Sequence, residues 1–252
     1  MKEPSVKEMR EESSMLYWYP KIKDLSIPMP RTEIWKIPNK YFPDIWFEES
    51  VVWKMLEDNK EKILKIAKRI GFPLFLRTDQ ASGKHGWKKT CYVEKEENLI
   101  RNAFEVIEFN LTADVFCSLP FKALVFREFI EGECYFRAFY GDMPINKEVR
   151  VFVKDGKVLC HHFYWATDAI EETRFKPTNW RDLLLKASSL SVEDIKTIYK
   201  YANIVASKVD GYWSVDFMKS KNGKWYLIDM ARGEISWHPN CPFKLTKNPR
   251  GP

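Results

Sequence analysis

With 252 residues, 45% of them apolar, the chain can bury a sizeable core, which excludes a largely disordered protein. The formal charge of +6 is spread along the chain; with no block of like charges it excludes a nucleic-acid-binding tail and leaves nucleotide, acidic peptide and RNA as anionic partners. Cys91, Cys117, Cys134, Cys160 and Cys241 are scattered, odd in number and never spaced C-x-x-C, which argues for reduced thiols and against a disulfide framework or a zinc site. The charged N-terminus differs from a signal peptide, and no run approaches the ~20 apolar residues of a membrane span, so a cytoplasmic protein is expected.

Residues 1–14 read as a weakly ordered tail, as do residues 244–252. Residues 17–43 are rich in proline and aromatics, with an extended piece at 32–37. One helix is predicted over 50–70, where Val52, Met55, Leu56, Ile63, Ile66 and Ala67 recur at helical spacing; Gly71 stops it. A strand at 73–78 leads into a polar, glycine-containing loop at 79–86. A returning strand at 90–93, a helix at 96–109 and a strand at 124–130 follow. Two hairpins are predicted, 148–165 turning at Asp155-Gly156 and 211–230 turning at Asn222-Gly223. Between them, residues 191–208 form a helix with Ser191 as N-cap. Hairpins in place of strict β-α-β alternation indicate an α+β fold with antiparallel sheets. The chain order divides as an N-terminal segment or lobe (1–49), a subdomain with the glycine- and lysine-bearing loop (50–130), a subdomain with the acidic hairpin (131–241) and a tail (242–252).

The second hairpin carries the sharpest chemistry. A two-residue type I′ turn at Asn222-Gly223 sets Lys221 opposite Lys224 and Asp216 opposite Asp229. Like charges across a strand pair repel, and a hard divalent cation bridged to phosphate oxygens would relieve that repulsion. The competing account pairs both aspartates with lysines or arginines at a wet sheet end. Glu234 is a candidate third ligand, and Arg232 a candidate for neutralising the pair or reaching a phosphate.

Residues 72–87 read FPLFLRTDQASGKHGW. Arg77 closes a strand, Gly83 and Gly86 let the backbone bend towards a ligand, and Lys84 projects from the same loop, a combination suited to polyphosphate. Any glycine-bearing surface turn looks similar. His85 reads as exposed. Neighbouring strand side chains point to opposite faces, so His161 and His162 do not readily share a metal. In the first hairpin Arg150 is expected opposite His161. Glu148 and Arg150 share a strand face, as ribose and phosphate binders or as an exposed ion pair. The chain has no G-x-x-x-x-G-K-[ST] loop, no G-x-G-x-x-G and no G-x-S-x-G.

Taken in order, these segments resemble the ATP-grasp superfamily over residues 73–234. The segments are Pro30-Arg31-Thr32, the strand-end Arg77 with its loop, LVFREFIEGE, KEVRVFVKDGKV, SVDF and YLIDMARG. The resemblance implies two lobes with antiparallel sheets gripping a nucleotide between them, with ATP and Mg2+ as cofactors. It assigns Arg77, Lys84 and Arg150 to phosphates and catalysis, and Glu128, Phe129 and Ile130 to an adenine hinge. Glu148 falls to ribose, and Asp216 and Asp229 to the metal. Two atypical branches are most similar, an R2K-type group with arginine in place of the strand lysine, and the eukaryotic ATP-grasp assembly chaperones of a translation initiation factor. Ala231 stands where the superfamily usually has a metal-binding asparagine, and residues 133–147 lengthen the link after the hinge. The resemblance implies an ATP-dependent carboxylate–amine ligase working through an acyl-phosphate, on a carboxylate-bearing small molecule, peptide or protein. A kinase would use the same parts. The alternatives are a protein-binding assembly module with little turnover, to which the aromatics near 17–19 and Trp237 would contribute, and a factor acting on RNA.

Overall fold

A computed structural model describes residues 4–46, 48–117, 119–140 and 142–243. In chain order the elements are α1 (Val6–Ser13), α2 (Met15–Ile22), β1 (Thr32–Lys36), α3 (Phe42–Ile45), α4 (Glu49–Asp58), α5 (Lys60–Ile70), β2 (Leu74–Thr78), β3 (Tyr92–Val93), α6 (Leu99–Cys117), β4 (Ala123–Glu128), β5 (Cys134–Ala138), β6 (Met143–Asn146), β7 (Glu148–Lys154), β8 (Lys157–Phe163), α7 (Thr167–Glu172), α8 (Trp180–Ser188), α9 (Val192–Ala206), β9 (Tyr212–Lys219) and β10 (Trp225–Arg232). The chain forms two compact units. A central unit holds residues 30–130 with 139–143, and a terminal unit holds 1–29, 131–138 and 144–252.

The central unit is built on an antiparallel sheet of order β1-β4-β2-β3. Its core includes Ile63, Ile66, Ala67 and Ile70 of α5 and Leu74, Leu76, Leu124 and Phe126 of the sheet. Their 3.6-residue and two-residue periods are what let a helix stripe and a sheet face bury together. Gly71 ends α5 at φ 93°, a conformation cheap only for glycine. The single helix expected over 50–70 is two. Asn59 turns out of the helical region at φ −118° and ψ 11°, and its side-chain amide donates to the Met55 carbonyl at 2.8 Å. That local bond competes with helix continuation.

The terminal unit is built on an antiparallel sheet of order β10-β9-β7-β8. α9 starts as expected: the Ser191 hydroxyl accepts from the Asp194 amide at 3.1 Å, and the Asp194 carboxylate returns a bond to the Ser191 amide. Of the tail expected at 1–14, residues 5–14 are ordered, and residues 1–3 lie outside the described residues. A Ser5/Glu8 capping box starts α1, and Glu12 and Ser13 bond Arg232 of β10. Trp18, one of the aromatics expected to contribute to a protein-binding module, is 0% exposed, although Tyr17 is partly open. The tail at 244–252 and the side chain of Cys117 lie outside the described residues.

Both hairpins form, with irregularities the sequence hides. Asp155 and Gly156 take φ 46° and 83°, the positive pair a type I′ turn needs. The register then slips between Phe152 and Val153, so Arg150 faces His162 rather than His161. At the second hairpin the turn is longer than two residues. Lys219 faces Trp225, and Ser220 bonds Lys224 in place of the expected Lys221–Lys224 pairing. A bulge between Leu227 and Asp229 restores the count, and Asp229 does face Asp216.

Candidate functional site

Antiparallel register fixes which side chains share a face. Across the terminal sheet, Asp229, Asp216, Arg150 and His162 form one row, and Ala231, Ser214, Phe152 and Cys160 form another two residues along. Rows two residues apart point to the same side. One face therefore collects the acidic pair, the arginine and Ala231.

The cross-strand aspartates do not meet without compensation. Arg150 donates from Nε to Oδ1 and from an Nη to Oδ2 of Asp216, both at 2.8 Å, a bidentate pair with Asp216 only 4% exposed. The Arg150 guanidinium also stacks over the Tyr164 ring at 4.8 Å and donates to the Trp237 carbonyl at 3.2 Å. Burial works to lower the Arg150 pKa, but Asp216, helped by Tyr164 and Asp229, raises it, so the guanidinium stays charged. Asp229 is half-buried and accepts from the Met230 amide at 3.0 Å. Glu148 is buried at the start of β7.

Arg232 and Glu234 do not join this group. The Arg232 guanidinium donates to Glu234 at 2.6 and 3.1 Å and to Glu12 at 3.0 Å, and lies over the Trp213 ring. Arg232 faces Trp213 in register, and Trp213 alternates with Ser214 and Asp216. It therefore serves the opposite face, where it holds α1.

The remaining candidates belong to the central unit. Arg77 is 5% exposed and donates to the carbonyls of Thr78 and Gln80 at 3.0 and 3.1 Å. The Thr78 hydroxyl accepts from Gln80 and Ala81, and the Asp79 carboxylate accepts from the amides of Lys122 and Ala123 at 2.7 and 2.9 Å. The polar, glycine-containing loop expected at 79–86 is thus pinned at its start. It continues into a short 3-10 helix, Lys84–Lys89, where the Thr90 hydroxyl donates to the Gly83 carbonyl at 2.6 Å. His85 is exposed, as expected, and stacks on Phe139 at 4.1 Å. Glu128 accepts from the backbone and guanidinium of Arg31, whose other end caps the last turn of α5 through the Ile70 carbonyl. Phe129 packs edge-on against Trp87 and Tyr92, themselves stacked at 5.4 Å, and Ile130 beside it is half-buried.

Sequence reasoning missed one group entirely. Cys160, His162, His238 and Cys241 bring one donor atom each to within 4.8 Å of one another. The signal was the i, i+2 spacing of Cys160 and His162 on one strand face, which inspection of the neighbours His161 and His162 passes over.

A sequence model of the ATP-grasp domain, R2K clade family 3, matches residues 68–247, most of the chain. The chain belongs to this family. Its α+β ATP-grasp fold is shared with Cdc123 from Schizosaccharomyces pombe, at TM-score 0.56 and 17% identity over 92% of this chain and 87% of that one. The C-terminally truncated Cdc123 of the same organism gives 0.57 and 15%, over 92% and 88%. D-alanine–D-alanine ligase from Bacillus anthracis, whose structure holds ATP, aligns at TM-score 0.46 and 16% identity over 89% of this chain and 55% of its own. No curated protein matches the sequence. Among the described residues, no helix is long and apolar enough to cross a membrane.

Proposed function

We propose that this R2K-clade ATP-grasp protein binds ATP with Mg2+ and acts as an ATP-dependent carboxylate–amine ligase in the cytoplasm. The observation that carries the reading is the row Asp229–Asp216–Arg150, set on one sheet face by three strands of a chain whose family is ATP-grasp. Asp216 and Asp229 would hold the metal. Their oxygens are hard donors, and a carboxylate has about four lone-pair sites, so the two bonds from Arg150 leave Asp216 able to ligate. When bound, Mg2+ neutralises phosphate charge that two aspartates alone would repel.

The residues of the chain supply position and charge. Arg150, held on three sides by Asp216, Tyr164 and the Trp237 carbonyl, presents a fixed cation to phosphate oxygens. Glu148 would bind ribose, and Arg77 and Lys84 phosphates, with Glu128, Phe129 and Ile130 at the adenine. A carboxylate oxygen of the acceptor forms a bond to the γ-phosphorus as the bond to the bridging oxygen of ADP breaks. An amine then displaces phosphate from the acyl-phosphate, so no protein nucleophile is needed.

A second reading, an ATP-dependent binding module with little turnover, is favoured by Ala231. It removes one metal donor from the face that carries Asp229. The experiment is incubation with Mg-ATP and pools of amino acids, peptides and RNA. Acceptor-dependent release of ADP and phosphate is expected. A phosphorylated acceptor would make the protein a kinase, and binding without acceptor-dependent turnover would favour the module. AMP and pyrophosphate would contradict both.

A further inference from the structure

On the Asp216 face, the segment after β10 runs across the sheet. Ser236 meets Ser214 of β9 at 2.7 Å, the Trp237 carbonyl accepts from Arg150 of β7, and His238 and Cys241 reach Cys160 and His162 of β8. At its far end the donor atoms crowd together. The two Nε2 atoms of His162 and His238 are 3.1 Å apart, and His238 Nε2 is 3.4 Å from Cys160 Sγ and 3.2 Å from Cys241 Sγ. The two sulfurs are 4.0 Å apart.

These four separations are close to the edges of a tetrahedron, and all four donor atoms lie within 4.8 Å of one another. Zinc bonds of ~2.3 Å to sulfur and ~2.0–2.1 Å to nitrogen give edges of about 3.8 Å between sulfurs, about 3.3 Å between nitrogens and about 3.5 Å between the two kinds. A disulfide is excluded in this arrangement, since its sulfurs would stand ~2.05 Å apart. A hydrogen-bonded cluster accounts for the geometry less well. His238 Nε2 faces three other donors at once, and a single lone pair or proton satisfies only one of them.

The surroundings are built for the role. His238 is 2% exposed, stacks on Phe152 at 3.7 Å, and bonds the Tyr212 hydroxyl through Nδ1 at 2.9 Å. With its proton on Nδ1, the Nε2 lone pair points at the cluster, the outer partner that ligating histidines use to fix their tautomer. His161, one residue away, turns instead to the Tyr199 hydroxyl at 2.9 Å.

We propose that Cys160, His162, His238 and Cys241 form a closed, four-ligand structural zinc site that fastens the C-terminal segment to the edge strand β8. Both thiols release protons on binding, and two thiolates balance the charge of Zn2+. With no open position the ion is structural rather than catalytic. It fixes the Trp237 carbonyl against Arg150, so the ion supports the Asp216 face without touching nucleotide. The inference does not depend on ATP binding.

Metal analysis of the full chain, purified without chelator from zinc-supplemented cells, is expected to give one zinc per chain. Cys160→Ser and Cys241→Ser should each lose it, and His161→Ala should keep it. Because the serine variants are at risk of misfolding, cobalt titration of the metal-stripped wild-type chain supplies a second readout. A visible spectrum of tetrahedral cobalt with thiolate charge-transfer bands is expected. Absence of zinc together with absence of that spectrum would overturn the proposal. A Cys160–Cys241 disulfide in the freshly isolated protein, or loss of zinc in His161→Ala, would also count against it.

Discussion

At the scale of single residues, the Arg150–Asp216 pair decides how the acidic face behaves. Each partner is buried or nearly so, and each neutralises the other. Arg150→Met leaves Asp216 as an uncompensated buried charge, which costs about 3–5 kcal/mol when one member of a buried pair is removed. Arg150→Met combined with Asp216→Leu removes both charges, so it should recover more than half of that loss. Urea denaturation of the two variants checks this; equal losses would show that the pair is not coupled. This partnership was open in the sequence only as the competing account of the aspartates. Spacing along one hairpin places Asp216 opposite Asp229, but Arg150 reaches Asp216 through the pairing of β7 with β9, 66 positions apart in the chain, which no hairpin turn sets.

At the scale of elements, caps and turn residues were legible and irregularities were not. Ser191, Gly71 and Asp155-Gly156 carry their conformations in their own chemistry. The facing of Asp216 and Asp229 was reached through a turn of the wrong length, corrected by a bulge at Ile228. The two errors cancel. The cap of α9 also yields a pH dependence. Burial, the largest single influence, raises the Asp194 carboxyl, but Lys219, Trp225 and Ser191 outweigh it and hold the group at about 2, below its ordinary 3.8. A depressed carboxyl contributes stability that is present above its ordinary value and is lost as pH falls through about 2. The amount is about 2 kcal/mol, and Asp194→Asn should remove this part of the acid sensitivity. Comparing urea midpoints of wild type and variant at about pH 5 and at about pH 2.5 tests it. Parallel pH profiles for the two chains would contradict it.

At the scale of the whole molecule, α+β class and family were readable from the order of short motifs, whereas long-range closures were not. Residues 1–14 look polar and loose, yet α1 is held on β10 by Arg232, which had been read as a candidate for the phosphate site. The reason is physical: a guanidinium and a carboxylate 220 positions apart leave no periodic trace. The same holds for Cys160 and His162 with His238 and Cys241, whose convergence depends on a segment crossing a sheet. The central claim is that the Asp216–Asp229 face takes Mg-ATP. Calorimetric titration of the full chain with ATP, with and without Mg2+, tests it most directly. Wild type is predicted to bind in a Mg2+-dependent way, and Asp229→Asn, at a half-buried position, to weaken binding about tenfold or more, 1.4 kcal/mol, while staying folded. No heat of binding from wild type, or full-strength binding by both Asp229→Asn and Asp216→Asn, would contradict it.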